Sequence, residues 1–104
     1  MSTYNVVIAP EAIEDVRSIC SYVSEELGAP NAAERIHEGI LAEMRALSRF
    51  PMRNRVLFEL PDGRQIRRAR LKKLYILYFV EQESVKIFSV VHGNSATEKR
   101  LAGL

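Results

Sequence analysis

A chain of 104 residues with a formal net charge of +2 has room for one domain, residues 1–104, and none for a second domain or a large enclosed active site. With 47% of its residues apolar and 27% charged, it reads as a folded globular chain and not a disordered one. No apolar run approaches the roughly 18 residues that span a bilayer, and Met1 to Ile8 lacks the basic start and long apolar middle of a signal peptide, so a cytoplasmic protein without membrane contact is expected.

From Thr3 to Ala9, Tyr4, Val6 and Ile8 alternate on one face, which predicts a strand. Pro10 suits the first position of a helix, where its missing N–H is no loss, and Glu11, Glu14 and Asp15 then favour the positive end of the helix dipole. Ile13, Val16, Cys20, Val23 and Leu27 follow at steps of three and four as one apolar stripe, closed by Gly28-Ala29-Pro30. Cys20 is the single cysteine, so no internal disulfide is possible, and its place on an apolar stripe marks it as a small core residue. Asn31 is placed to cap a second helix with Glu34 three residues on, and Ala33, Ile36, Ile40, Met44 and Leu47 form its stripe up to Phe50-Pro51. The short link makes the two helices an antiparallel hairpin.

Val56, Leu57, Phe58 and Leu60 predict a short extended segment, followed by a turn at Pro61-Asp62-Gly63. Gln65 to Leu71 reads as a strand. Leu74 to Val80 is apolar at nearly every position, like a central strand covered on both faces, and Val85 to Val91 resembles it. The four residues Glu81-Gln82-Glu83-Ser84 join these two as a hairpin. His92-Gly93-Asn94-Ser95 breaks the pattern, and Ala96 to Leu104 has the makings of a final helical turn. The order β-α-α-β-β-β gives an α+β domain with a helical hairpin on one face of a mostly antiparallel sheet, the other face being open.

Charge is distributed unevenly along this frame. Residues 1–50 hold four arginines against eight carboxylates, and residues 51–104 hold eleven Lys and Arg against five, so the second half faces a polyanion or an acidic partner. Arg64, Arg67, Arg68, Arg70, Lys72 and Lys73 fall within ten residues that contain no carboxylate. Such a run either discourages strand-to-strand aggregation at a solvated edge or forms a surface for phosphates or an acidic peptide, and the share of arginine favours the second. Ile66 and Ala69 sit on opposite phases of the alternation, so the sequence leaves open which face each of these cations takes. His92 ends the last strand, as a general acid or base or as a histidine bonded to a backbone carbonyl; His37 lies on the polar side of the second helix. No metal-site spacing, Gly-rich phosphate loop or nucleophile elbow is present, and no cofactor is expected. Tyr75 and Tyr78 lie on opposite faces of the central strand, one of them under the helices.

YNVVIAPEAIEDVRSICSYV, PNAAERI, LSRFP and RRARLKKLYILYFV…VKIFSVVHG, in that order and spacing, resemble the RelE/ParE superfamily of type II toxin–antitoxin toxins over nearly the whole chain. The resemblance implies the same β-α-α-β-β-β fold and a growth-arresting toxin, neutralised in a hetero-oligomer by a cognate antitoxin encoded beside it, as in plasmid stabilisation modules. In the RelE-like branch, Lys and Arg on the strands help cleave mRNA in the ribosome; ParE-like members poison DNA gyrase. The arginine of the ribonuclease strand motif falls at Tyr75, the arginine after the last strand falls near Asn94, and no tyrosine follows Tyr78. The LYILY run and the HG after the last strand are closer to the ParE-like branch, so DNA gyrase inhibition is the expected activity. The alternatives are a ribosome-dependent mRNA endoribonuclease with Arg68, Arg70, Lys72 and His92 as its site, or an inactive member that only binds its antitoxin. In any of these, Arg64, Arg67, Arg68, Arg70, Lys72, Lys73 and Arg100 are the residues expected to contact antitoxin or target.

Overall fold

A computed structural model of the chain, which describes residues 3–93, has the expected elements with one strand more after the helices, because the short extended segment pairs with the sheet as a strand of its own. Strand β1 (Asn5–Ile8) leads into helix α1 (Pro10–Ser21), and α2 (Pro30–Ala46) returns antiparallel to it. Then follow β2 (Val56–Glu59), β3 (Gln65–Leu71), β4 (Leu74–Glu81) and β5 (Ser84–His92). The sheet order is β1-β5-β4-β3-β2, with β1 parallel to β5 and every other pairing antiparallel. The α+β frame with a helical hairpin is the one expected. No helix among the described residues is long and apolar enough to cross a membrane.

Both helices begin at a proline in the first turn. For α2 this corrects the expected start: Ala29 is the N-cap residue and no side chain caps it, because Pro30 opens the helix one residue earlier and carries Asn31 into the first turn. The α1 stripe is also corrected. Ala12 and Val16 are buried with Ile19 and Cys20 packed against the core, whereas Ile13 and Leu27 are 50% and 59% exposed. Past Ser21 the helix widens to a π turn over Tyr22–Glu26, in which the Leu27 N–H reaches the Tyr22 carbonyl five residues back. Each such turn takes an extra residue and rotates the stripe, so Leu27 swings outward. Gly28, at φ +63°, then ends the helix, and the Ala29 N–H bonds the Val23 carbonyl. The α2 stripe holds as expected, with Ala33, Ile40, Met44 and Leu47 buried.

The loop between β4 and β5 is tighter than the sequence suggests. Glu81 and Ser84 pair as the last rung, leaving only Gln82-Glu83 to turn the chain, with Gln82 at φ +56°. The β3–β4 loop, Lys72-Lys73, is built the same way, with Lys72 at φ +54°. Helices cover one face of the sheet: Ile76, Tyr78, Val85, Ile87 and Val90 pack there against Ala12, Val16, Ile40, Met44 and Leu47. Burying these apolar groups is the main stabilising term, on the order of 1.5–3 kcal/mol for each large side chain.

Phe88 is an extra residue in β5, because pairing shifts from Leu77↔Ser89 to Tyr78↔Ile87. At that bulge β1 has already ended, its last rung being Ile8↔Ile87, and α1 takes its place beside β5. The Asp15 carboxylate accepts the Val90 N–H at 3.0 Å and the Ser89 hydroxyl at 3.3 Å. An acidic residue expected only to complement a helix dipole is thus what closes a strand edge.

Candidate binding surfaces

The register of β3 on β4 sorts the basic run into two sets. Arg68 pairs with Leu77 and Arg70 with Tyr75, on the face turned away from the helices; Arg67 pairs with Tyr78 and Ala69 with Ile76, on the helix face. Tyr75 and Tyr78 lie on opposite faces, as expected, and Tyr78 is the one under the helices.

On the open face Arg68 and Arg70 are each held by one local contact and Arg64 by two. The Arg68 guanidinium lies over the Tyr75 ring, 4.4 Å from its centroid, and makes no hydrogen bond among the described residues. Arg64 lies over Phe79 at 5.1 Å, and its Nε donates to Asp62 at 2.8 Å. Asp62 also accepts the Arg64 backbone N–H, and that bond first, then the guanidinium, holds its carboxyl below the usual carboxylate range. Arg70 gives its Nε to the Lys72 carbonyl at 2.7 Å. In all three the terminal guanidinium nitrogens keep their donors. Beside Arg64, a groove of about 220 Å³ is walled by Leu60, Ile66, Phe79 and Phe88, with Glu11 at its rim. The Phe79 and Phe88 rings pack on each other, tilted by 40°, with centroids 6.1 Å apart.

Arg67 is spent differently. Its Nη1 donates to the carbonyls of Met52, at 3.0 Å, and Asn54, fastening the segment that leads to β2. The buried Tyr78 hydroxyl donates to the Pro51 carbonyl at 2.6 Å and accepts from the Asn54 amide at 3.0 Å. Burial pushes its pKa up. Pro51–Arg53 is a single 3₁₀ turn, entered through Phe50 at φ +51°.

Lys72 and Lys73 lie at the far end of the sheet with His92, which pairs with Leu74 and therefore points to the helix face. They rim a second groove of about 460 Å³ with Arg35, floored by apolar side chains of α1, α2 and β3, among them Ile19, Ile36 and Leu71. The four residues expected to converge as a ribonuclease site do not: the sheet lies between His92 on one face and Arg68 and Arg70 on the other. Arg100 and Asn94 lie outside the described residues. His37 is exposed and Cys20 half-buried, both lining a groove of about 370 Å³ between the helices, and burial raises the Cys20 thiol pKa. No group of three or more His, Cys, Asp or Glu able to hold a metal ion occurs among the described residues.

Sequence reasoning missed Asp15, Asn54, Arg35 and the two phenylalanines of the open face. Asp15 carried one signal, since it stands between Ala12, Val16 and Ile19 on the buried side of α1; Asn54 carried none.

The sequence model of a family described as the ParE toxin of type II toxin-antitoxin system, parDE, matches residues 6–96. Among solved structures, the chromosomal ParDE toxin–antitoxin system from P. aeruginosa is similar at a TM-score of 0.74, with 15% identity, over 88% of this chain and 98% of that one. The toxin–antitoxin complex RelBE2 from Mycobacterium tuberculosis is similar at a TM-score of 0.65, with 22% identity, over 89% of this chain and 94% of that one. No curated protein sequence matches.

Proposed function

The chain belongs to the ParE toxin family of type II toxin–antitoxin systems, and from that premise we propose that it arrests growth by inhibiting DNA gyrase and is held inactive by a cognate antitoxin. The observation that carries the reading is the separation of His92 from Arg68 and Arg70 by the thickness of the sheet. General acid–base cleavage of a phosphodiester needs its proton carrier and its phosphate-stabilising cations within hydrogen-bonding reach of one phosphate. Here the cations on the open face have no histidine beside them. A surface of this kind binds without cutting, which fits an inhibitor of another enzyme.

The antitoxin's place in this reading is the groove rimmed by Arg35, Lys72, Lys73 and His92. Its floor is apolar and its rim basic, which suits a partner segment carrying apolar anchors and carboxylates that folds as it docks. Such a pair acts in the cytoplasm, where gyrase works.

Two assays decide the function. Purified toxin added to gyrase is expected to inhibit supercoiling and to be relieved by the antitoxin; undiminished supercoiling at saturating toxin overturns the proposal. Primer extension on translated mRNA from expressing cells is expected to show no new ends. New ends would instead mark a ribosome-dependent endoribonuclease, and harmless overexpression without antitoxin would mark an inactive, antitoxin-binding member.

A further inference from the structure

We infer that residues 49–55, between α2 and β2, are the surface by which this toxin holds its target protein, with Phe50 and Met52 entering an apolar pocket edged by carboxylates. The inference rests on the reading of the chain as a toxin that acts on another protein, and it names the contact. Phe50 and Met52 are 66% and 49% exposed, while Pro51 between them is buried, so two large apolar side chains stand in solvent on either side of one anchored residue. Phe50 has φ +51°, a left-handed conformation that is costly for a bulky residue and easier for glycine or asparagine. With the ring mostly in solvent, burial does not offset that cost.

Hydrogen bonds from four directions hold the segment in this form. The Tyr78 hydroxyl donates to the Pro51 carbonyl, Arg67 Nη1 to the carbonyls of Met52 and Asn54, and Arg53 Nη1 to the Arg49 carbonyl at 3.1 Å, while the Ser48 carbonyl accepts the Tyr4 N–H at 2.8 Å. A strained residue that the fold fixes and leaves exposed has its ordering cost met during folding and not at binding, which favours a contact.

Charge indicates the kind of partner. Arg49, Arg53 and Arg55 are exposed, none forms an ion pair among the described residues, and no carboxylate lies between Glu43 and Glu59 along the chain. Aromatic, methionine and arginine side chains are the ones enriched where proteins bury contact surface. A phosphate backbone would engage the arginines and leave Met52 in water. A bilayer would gain little, since two side chains bury less apolar surface than one acyl chain, which alone anchors only marginally. The segment follows the C-terminal end of α2, whereas the groove rimmed by Arg35, Lys72, Lys73 and His92 takes Ala32, Ile36 and Gly39 from the first ten residues of that helix, Pro30 to Gly39. Changes in one surface are therefore readable apart from the other.

The test uses the full-length toxin and reads growth arrest by plating, folding by thermal melt, antitoxin affinity by calorimetry and inhibition of purified gyrase. Phe50→Asn removes the anchor at a backbone position that asparagine accepts, so its melting temperature is expected to hold or rise. Combined with Met52→Gln, it is expected to abolish arrest and to raise the toxin concentration that inhibits gyrase about tenfold or more, with antitoxin affinity unchanged. Arg49→Glu and Arg55→Glu, whose side chains make no hydrogen bond among the described residues, should each raise that concentration several-fold, more strongly at low salt. A folded double variant that still arrests growth overturns the inference. Loss of antitoxin affinity together with toxicity overturns it too and gives the segment to the antitoxin. Phe50-dependent cosedimentation of the wild type with vesicles of phosphatidylcholine and phosphatidylglycerol overturns it in favour of a lipid surface. Arrest lost by the double variant, while wild-type toxin leaves supercoiling undiminished, sustains the inference and removes gyrase as the target. A wild-type chain that arrests nothing overturns both.

Discussion

Asp15 of α1 accepts the N–H of Val90 of β5 at 3.0 Å, at the point along β5 where β1 has stopped. Removing the carboxylate leaves an inward-facing backbone donor unpaired, which costs about 1–3 kcal/mol. Asp15→Ala is therefore expected to lower the urea midpoint by that equivalent with the slope unchanged. Asp15→Asn, which keeps an acceptor oxygen, is expected to lose less.

Alkaline stability should be set by Cys20 and Tyr78. Burial raises both pKa values above their ordinary 9.0 and 10.0. Below about pH 9 both groups are protonated in both states and stability is complete. As pH rises, the unfolded chain loses first the thiol proton and then the phenol proton, while the folded chain keeps them, so the folded state is progressively disfavoured. Denaturant melts from pH 8 to 11 should show this decline, and Cys20→Ala with Tyr78→Phe should flatten it. At neutral pH Tyr78→Phe should itself cost about 1–3 kcal/mol, because the Pro51 carbonyl and Asn54 amide lose their buried partner.

Two glycines should respond oppositely to alanine. At Gly39, within α2, an added Cβ meets only the end of the Leu71 side chain, at 3.1 Å, and Leu71 borders the 460 Å³ groove into which it can shift. The gain in helix propensity then prevails, and Gly39→Ala should stabilise by about 0.5–1 kcal/mol. At Gly93 the Cβ meets the Tyr75 ring at 3.1 Å and the Lys73 carbonyl oxygen at 3.3 Å, and backbone does not yield. Gly93→Ala should destabilise by about 1 kcal/mol and loosen the Arg68 stack on Tyr75. Thermal melts of the two variants separate the signs.

Arg67 and Arg70, three residues apart, should fail for different reasons. Arg67→Ala releases the Met52 and Asn54 carbonyls and is expected to cost about 1–2 kcal/mol. Arg70→Glu, at an exposed position, should leave the melting temperature almost unchanged and abolish growth arrest on expression. Circular dichroism melts beside a plating assay distinguish the two. Toxicity retained by a folded Arg70→Glu protein would remove the open face from the activity.

The order of elements was legible because it rests on periodicity: Tyr4, Val6 and Ile8 repeat at two, and Ala33, Ile36, Ile40, Met44 and Leu47 at three and four. The α1 stripe failed at Leu27 because the period itself changed at the π turn over Tyr22–Glu26, which no residue type announces, and at Ile13 because Ala12, one residue earlier, is the one that faces the core. The basic run was legible as a charged segment but not as two faces. Its division depends on the pairing of Arg68 with Leu77, a long-range register that local composition does not encode. Asn54 was invisible for the same reason, since its partner, Tyr78, is brought to it only by the completed sheet.

The pairing of β1 with β5 has a consequence for biosynthesis. Among the described residues, the first strand lies beside the last, in parallel, at a sequence separation of about eighty residues. Every hydrogen bond that β1 gives to the sheet waits until Ser84–His92 has left the ribosome, and contacts so distant along the chain form slowly. The sheet therefore closes only once nearly the whole chain has been made, and β1 stays unpaired for most of synthesis.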